Sequence, residues 1–506
     1  IRFGNFLLDR YRITALIDLP MRLFDALIST VILLAEKERD ESKRENNVVT
    51  LIRIPPEVQD VEGVLSCIEG SFNPDGSLGN KLDECKRKFG IYYKTIKQSE
   101  IPRNRKWIEL FSDANDIINK LSTNKNIVKL EEYFIPSRGN SIWGVWAIHN
   151  RKRPDLGAED FFYFNERKAK QWFSGNMDCL VPAITSSSKI NTFKFTNKDW
   201  EELKKKDKDV YIFICHHKRT NLPNYVKEYI NWGESGECRT KIRETRGGGK
   251  KCNEADASKA REKISGLFYG WYDLGGYVPT PIMTIYQPRY HPQFFLCEMP
   301  SVTYHAIITL IPKMPVKTSF IYDPVKDFLE KMPEKERKAF DIKMNLSLDE
   351  KEIKALLAYM NSTFAWLWLE LKSRYIPTGP LGLEVSVLRE MPLLDVKRID
   401  RKHVEELAQL FDKLEERARQ LQGKTKRSMF MELRPIFREI DLKINEILNL
   451  GEDVDRLWDL AVEMMERRIK GTGKVSRPGD ISLDEEEERP KRKKGGSGST
   501  PLDIFM

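Results

Sequence analysis

Phe3-Gly4-Asn5-Phe6-Leu7-Leu8-Asp9-Arg10-Tyr11-Arg12-Ile13-Thr14-Ala15-Leu16-Ile17-Asp18-Leu19-Pro20 is the stretch on which the fold turns. Phe3, Phe6, Leu7, Leu8 and Tyr11 recur at helical spacing, so residues 1–11 read as the end of an amphipathic helix. Ile13 to Ile17 is short and apolar and is closed by Asp18 and Pro20, the pattern of a buried strand. Two more such runs follow, Ser29 to Ala35 and Val48 to Ile54. Near-continuous apolar runs fit a sheet covered on both faces. Three strands and part of a helix are too little for an independent domain. Residues 1–56 are therefore expected to be an α/β remnant, the closing strands of a larger, Rossmann-like sheet. The chain opens at Ile1 directly on a helical pattern, which predicts a cut inside that domain.

Outward from this stretch, residues 57–126 are mixed and polar and read as a connector. Residues 127–400 read as a mixed α+β domain. Its first part is rich in short strands, aromatics and turn residues, and helices return near Ser347. A helix is expected from Leu348-Asp349-Glu350 through about Leu371. Residues 401–470 carry a helical hairpin pattern broken around Gly423, giving a helical C-terminal extension. The tail, 471–506, runs from an acidic block (Asp484 to Glu488) to a basic one (Lys491 to Lys494) and Gly-Gly-Ser-Gly-Ser. That composition predicts disorder.

The bulk numbers narrow the function classes. A chain of 506 residues predicts two or three domains. Charged residues make up 32%, above the usual quarter, an excess in the direction of thermophile proteins. The net charge of +9 permits a nucleic-acid partner without requiring one. The longest apolar stretch, Ile13 to Ala35, is broken by Asp18, Pro20, Arg22 and Asp25, which a membrane span does not tolerate. Seven scattered Cys and no secretory signal predict a reduced cytoplasmic protein. Cys215-His216-His217 with Cys238 and Cys252 offers zinc-ligand types, but without CxxC pairs or regular spacing, so no metal site is expected. No P-loop is present. Arg153-Pro154-Asp155 begins like a nuclease motif but lacks the following acid-x-Lys strand.

Two ordered pieces carry a family resemblance. Phe6-Leu7-Leu8-Asp9-Arg10-Tyr11-Arg12-Ile13, the loop Leu23-Phe24-Asp25-Ala26 and Ser29-Thr30-Val31-Ile32-Leu33-Leu34 form the first. Leu356 to Asn361-Ser362, then Lys372-Ser373-Arg374-Tyr375-Ile376 and Leu388-Arg389-Glu390-Met391-Pro392-Leu393 form the second. Together they resemble the C-terminal portion of the adenine-specific (N6) DNA methyltransferases of restriction–modification systems, the second piece matching the end of the target-recognition region. Softer matches are Asn126 to Leu130 through Ser137-Arg138-Gly139 to Tyr163, and Tyr229 to Gly236.

The resemblance implies a full enzyme that moves a methyl group from S-adenosyl-L-methionine to N6 of adenine in double-stranded DNA. The motifs for that chemistry are absent. The family's [Asn/Asp/Ser]-Pro-Pro-[Tyr/Phe] motif holds the amino group and stacks on the flipped base. Here the only Pro-Pro is Ile54-Pro55-Pro56-Glu57, and no Gly-rich turn precedes residue 13. This chain alone is therefore expected to be inactive and to supply DNA recognition, the cofactor being held by a missing N-terminal part or a separate catalytic chain. The resemblance places Phe24 against the flipped adenine; a core Phe capping the sheet edge is the other reading. It also places Lys372, Arg374 and Tyr375 near DNA. The run Arg239, Lys241, Arg243, Arg246, Lys250 and Lys251 faces only Glu237 and Glu244, so it either tracks phosphates or is simply solvated. The rival reading is a non-catalytic DNA-specificity subunit that docks on methyltransferase or nuclease subunits through 401–470.

Overall fold

The three expected strands are present, as Tyr11–Leu19 (β1), Thr30–Lys37 (β2) and Val48–Arg53 (β3). The structure is a computed structural model. It describes residues 2–472 apart from 20–29, 56–57, 59, 74–77, 80, 104–106, 112–113, 139–157, 186, 188–189, 191, 241–248, 263–267, 276–279, 300–301, 304–305, 319–328, 331–333 and 377–378. The acidic and basic blocks of the tail lie outside the described residues.

β1 pairs antiparallel with β2 and parallel with β3. A fourth strand, Tyr92–Lys97 (β4), joins β3 antiparallel, so the order is β2-β1-β3-β4. Within residues 57–126, read from the sequence as a connector, Tyr92–Lys97 thus adds the fourth strand. Alternate residues of the central strands face opposite ways, as strand geometry requires. Leu16, Val49 and Leu51 pack with Leu7, Leu8 and Phe111 on one face. Ile17, Leu19 and Ile52 pack with Val64, Ile68, Leu82 and Cys85 on the other. The covered sheet inferred from the apolar runs is therefore found at β1 and β3. β2 differs, because it forms the edge and exposes Val31 (48%) and Leu34 (38%). Where β1 bulges, Gln98 takes up the free backbone groups, accepting from Ile13 N (2.9 Å) and donating to Tyr11 O (2.8 Å).

A five-stranded sheet organises the middle of the chain, in the order Phe134–Arg138, Ile307–Pro312, Ile282–Ile285, Phe294–Cys297, Lys194–Phe195. It separates two cores by the same period of two. Ile282, Phe294, Leu296, Ile308 and Leu310 face the larger core, which the helices after residue 350 fill. Met283, Phe295, Cys297 and Ile307 face a second, aromatic-rich core built from residues 158–274.

The helix expected through Leu371 is two helices, Glu350–Met360 and Thr363–Lys372. The break has a physical cause in Asn361-Ser362. Asn361 bonds both backbone groups of Phe294 (Oδ1 from N, 3.0 Å; Nδ2 to O, 2.8 Å), docking the helix pair on the sheet. The Ser362 hydroxyl caps the second helix by accepting from Ala365 N. The C-terminal hairpin is also subdivided. Helix Arg401–Gln420 ends before Gly423 as expected, but Arg434–Leu448 and Val454–Thr472 are split by a second turn. Asn449 (φ 48°) and Gly451 (φ 67°) form that turn in the left-handed region.

The expectation of a reduced chain is overturned. Cys67–Cys85, Cys179–Cys215 and Cys238–Cys252 are disulfides, and Cys297 is a buried free thiol. The pairing partners lie 18, 36 and 14 residues apart and only meet through tertiary folding. Among the described residues, no helix is long and apolar enough to cross a membrane.

Candidate nucleic-acid interface

β1 and β3 run parallel, so their carboxyl ends open on the same side. In open α/β sheets that is where ligands bind. Asp18 and Arg53 mark those ends. Arg53 Nε donates to Asp18 Oδ2 (2.9 Å) and Nη1 to Phe111 O (2.6 Å), with its guanidinium 5.4 Å from the Phe111 ring. Asp18 is 5% exposed, so the pair is a shielded one. The next residues, 20–29, include Phe24, which lies outside the described residues.

The loop predicted to sit near DNA is a small hairpin. Arg374 pairs with Gly382 and Tyr375 with Leu381, and Gly379 (φ 100°) closes the turn. A Cβ at Gly382 would meet Arg374 O at 3.3 Å, a tight contact that favours the glycine. Arg468, from the last helix, anchors the hairpin from below. It pairs with Glu370 (Nη2–Oε1 2.8 Å, Nε–Oε2 2.9 Å) and donates to Arg289 O (3.0 Å) and Gly379 O. Trp366 Nε1 donates to the same Glu370 (3.1 Å). The Tyr375 ring is 6.0 Å from the Arg468 guanidinium. Burial and the Glu370 carboxylate raise the Tyr375 pKa, while Arg468, Arg53 and Arg467 oppose the rise. Burial, and then the Arg53 charge, lowers the Arg467 pKa to about 10. The hairpin and the last helix thus lie within electrostatic reach of Asp18 and Arg53 at the ends of β1 and β3.

Arg374, with a side chain 63% exposed, reaches Glu384 (3.1 Å). Glu384 also accepts from Tyr286 OH (2.9 Å), and the Arg138 guanidinium stacks on the Tyr286 ring at 3.5 Å. This chain of contacts joins Arg138 of the softer sequence match to Arg374 of the stronger one. Tyr286 and Glu384 are the connecting residues that sequence reasoning missed; neither stands in a motif. Lys372 is half-buried at the end of its helix.

The basic run is separate, on the second core. Its neck is closed by Cys238–Cys252 and by Thr240 N to Lys250 O (2.8 Å). Arg239 is engaged with backbone carbonyls, donating to Gly236 O (2.7 Å) and Gly249 O (3.0 Å), so its guanidinium holds the neck. Lys241, Arg243 and Arg246 lie outside the described residues. The cysteines weighed as zinc ligands, Cys215, Cys238 and Cys252, are in disulfides. His216, weighed with them, is instead bonded to Asp273, a pairing with no sequence signal.

Residues 156–245 match the family model of the Type II methyltransferase M.Eco57I, C-terminal domain. Over 171 residues the chain is 30% identical to the Type II methyltransferase M.AccI of Acinetobacter calcoaceticus, which covers 33% of this chain and 27% of that protein. The chain thus spans about a quarter of that relative's length. A solved structure, that of the type IIG restriction endonuclease BpuSI, aligns over 92% of this chain and 45% of its own, at 13% identity and a TM-score of 0.42. That likeness is too slight to carry an argument. The sequence matches support similarity to the C-terminal portion of a restriction–modification methyltransferase.

Proposed function

We propose that this chain is the sheet-rim and target-recognition portion of a cytoplasmic restriction–modification enzyme that methylates N6 of adenine in a specific duplex DNA sequence. The supporting observation is the hairpin Arg374–Gly382, held by Arg468 beside the carboxyl ends of β1 and β3. A recognition loop and the rim of a methyltransferase sheet belong in that relation. The four-stranded sheet would then be the remnant of a Rossmann-like domain. Exposed Phe3 (68%), Phe6 (50%), Val31 and Leu34 on its outer helix and edge strand suit cover by a further catalytic part.

The residues present do not fit S-adenosylmethionine or the target amino group. Ile54-Pro55-Pro56-Glu57 has an apolar Ile at the leading position, where the motif's side chain accepts from the amino group, and a Glu at the trailing position, where its ring stacks. No methyl-transfer step is assigned to this chain; its own contribution is to bind and orient DNA. Arg138 and Arg374, linked through Tyr286 and Glu384, present cations for phosphates or base edges.

The purified chain should bind duplex DNA with log K falling steeply against log salt, and should not methylate it. Shallow or absent salt dependence would sink the DNA reading, and methylation by the chain alone would sink the division of labour. Arg374→Ala should weaken binding and, where Arg374 meets a phosphate, reduce the salt slope by about 1. An unchanged slope with altered sequence preference would assign Arg374 to base readout instead.

A further inference from the structure

The second core carries a titratable pair that the reading above leaves unused. His216 lies just beyond the strand Tyr211–Phe213, and its Nδ1 is 2.9 and 3.1 Å from the two carboxylate oxygens of Asp273. Asp273 is fully buried and also accepts from Tyr269 N (2.8 Å) and Gly275 N (2.7 Å). The carboxylate in turn fixes Nδ1 as the donor and orients the ring.

The segment bearing Asp273 is tied down on several sides. Tyr272 OH donates to His217 O (2.8 Å), Trp271 Nε1 to Glu234 (3.0 Å), and Arg261 Nε to Trp271 O (3.1 Å). On this fixed base the His216 side chain is 34% exposed. Its ring centroid is 4.9 Å from that of Tyr269, which is 47% exposed. With Nδ1 bonded inward, Nε2 is the nitrogen left for an outside partner, and no described group bonds to it. His216 also falls inside the stretch that matches the methyltransferase C-terminal domain.

We infer that His216 contacts a DNA backbone phosphate, donating Nε2–H to a phosphate oxygen while Asp273 holds the ring in place through Nδ1. The inference rests on the DNA-binding reading above. A phosphate asks for a positive charge and a directed donor, and a charge-assisted bond supplies both. The exposed Tyr269 ring beside it offers a flat apolar surface to the neighbouring sugar or base.

The contact has a pH signature. The groups facing His216 are Asp273 and Tyr269 from the opposing segment, with His217 next to it in the chain. The Asp273 hydrogen bond and charge push the His216 pKa above its ordinary value, against burial. The charged form exists below that raised pKa, so the contact is present there and is lost as pH rises through it.

The test measures duplex binding by the full chain against salt at several pH values. His216→Gln should bind roughly tenfold more weakly on the acid side. Its salt slope should be shallower by about 1, and it should lose the pH step. His216→Lys should keep the slope and hold its affinity at alkaline pH, where the wild type weakens. In the unmodified chain, the imidazole resonance of His216 should move when DNA is added. A Gln variant with the wild-type slope and pH profile, or an unmoved resonance at saturating DNA, overturns the contact alone. A wild-type chain that binds no DNA at low salt overturns the contact and the DNA reading together.

Discussion

Replacing Arg468 with Met is expected to destabilise the chain by about 3–5 kcal/mol, because it strands a buried carboxylate. Arg468 and Glu370 are both wholly inaccessible, and the guanidinium meets the carboxylate through two bonds of 2.8 and 2.9 Å. Without the cation, Glu370 keeps, among the described residues, only the Trp366 indole as a donor, in an interior that cannot solvate charge. The Arg289 and Gly379 carbonyls lose their donor at the same time. The double variant Arg468→Met, Glu370→Met removes both charges and should recover most of the loss, since buried pairs replaced by apolar residues are often neutral. Urea unfolding midpoints of the single and double variants test this. A single variant within about 1 kcal/mol of wild type would mean that water reaches the pair. The substitution also has a functional arm, because Arg468 holds the turn of the hairpin that carries Arg374 and Tyr375. The double variant should be folded yet bind DNA with a shallower salt slope.

Reduction should lower stability by a comparable amount. Cys67–Cys85 and Cys238–Cys252 close segments of 18 and 14 residues. In the chain-entropy account each contributes about 3 kcal/mol by limiting the unfolded state. Thermal midpoints with and without reductant should therefore differ widely, and the non-reduced chain should yield one alkylatable thiol, Cys297, after denaturation. Seven free thiols in a chain purified without reductant would refute the pairing. On the proposed reading, three disulfides depart from the usual redox rule for an intracellular protein, but intracellular proteins of hyperthermophiles are a known exception. The excess of charged residues, 32% of the chain, points in the same direction.

Much of the local structure was legible in the sequence. The apolar runs of β1, β2 and β3 carry their own period and end at their own breakers, so their positions follow from neighbours along the chain. β4 was missed because Tyr92-Tyr93-Lys94-Thr95-Ile96-Lys97 is half-buried and polar, and it reads as a strand only beside β3. The break at Asn361-Ser362 was within a quoted motif but was read through as helix. Ser362 is a visible cap, whereas the role of Asn361 depends on Phe294, far away in sequence.

The sequence by itself determined the kind of elements, the resemblance to a restriction–modification methyltransferase and the lack of the methyl-transfer motifs in its residues, because each is written in residues close together along the chain. Only the tertiary structure decided which charged groups share a site. It set Arg374 beside Glu384, Tyr286 and Arg138, brought Arg468 under the hairpin, engaged Arg239 in its own loop neck and joined His216 to Asp273. The physical reason is that a charge carries no periodicity. Its partner is whatever group the packing of distant apolar faces delivers to within a few ångströms, and no local pattern of residues encodes that distance.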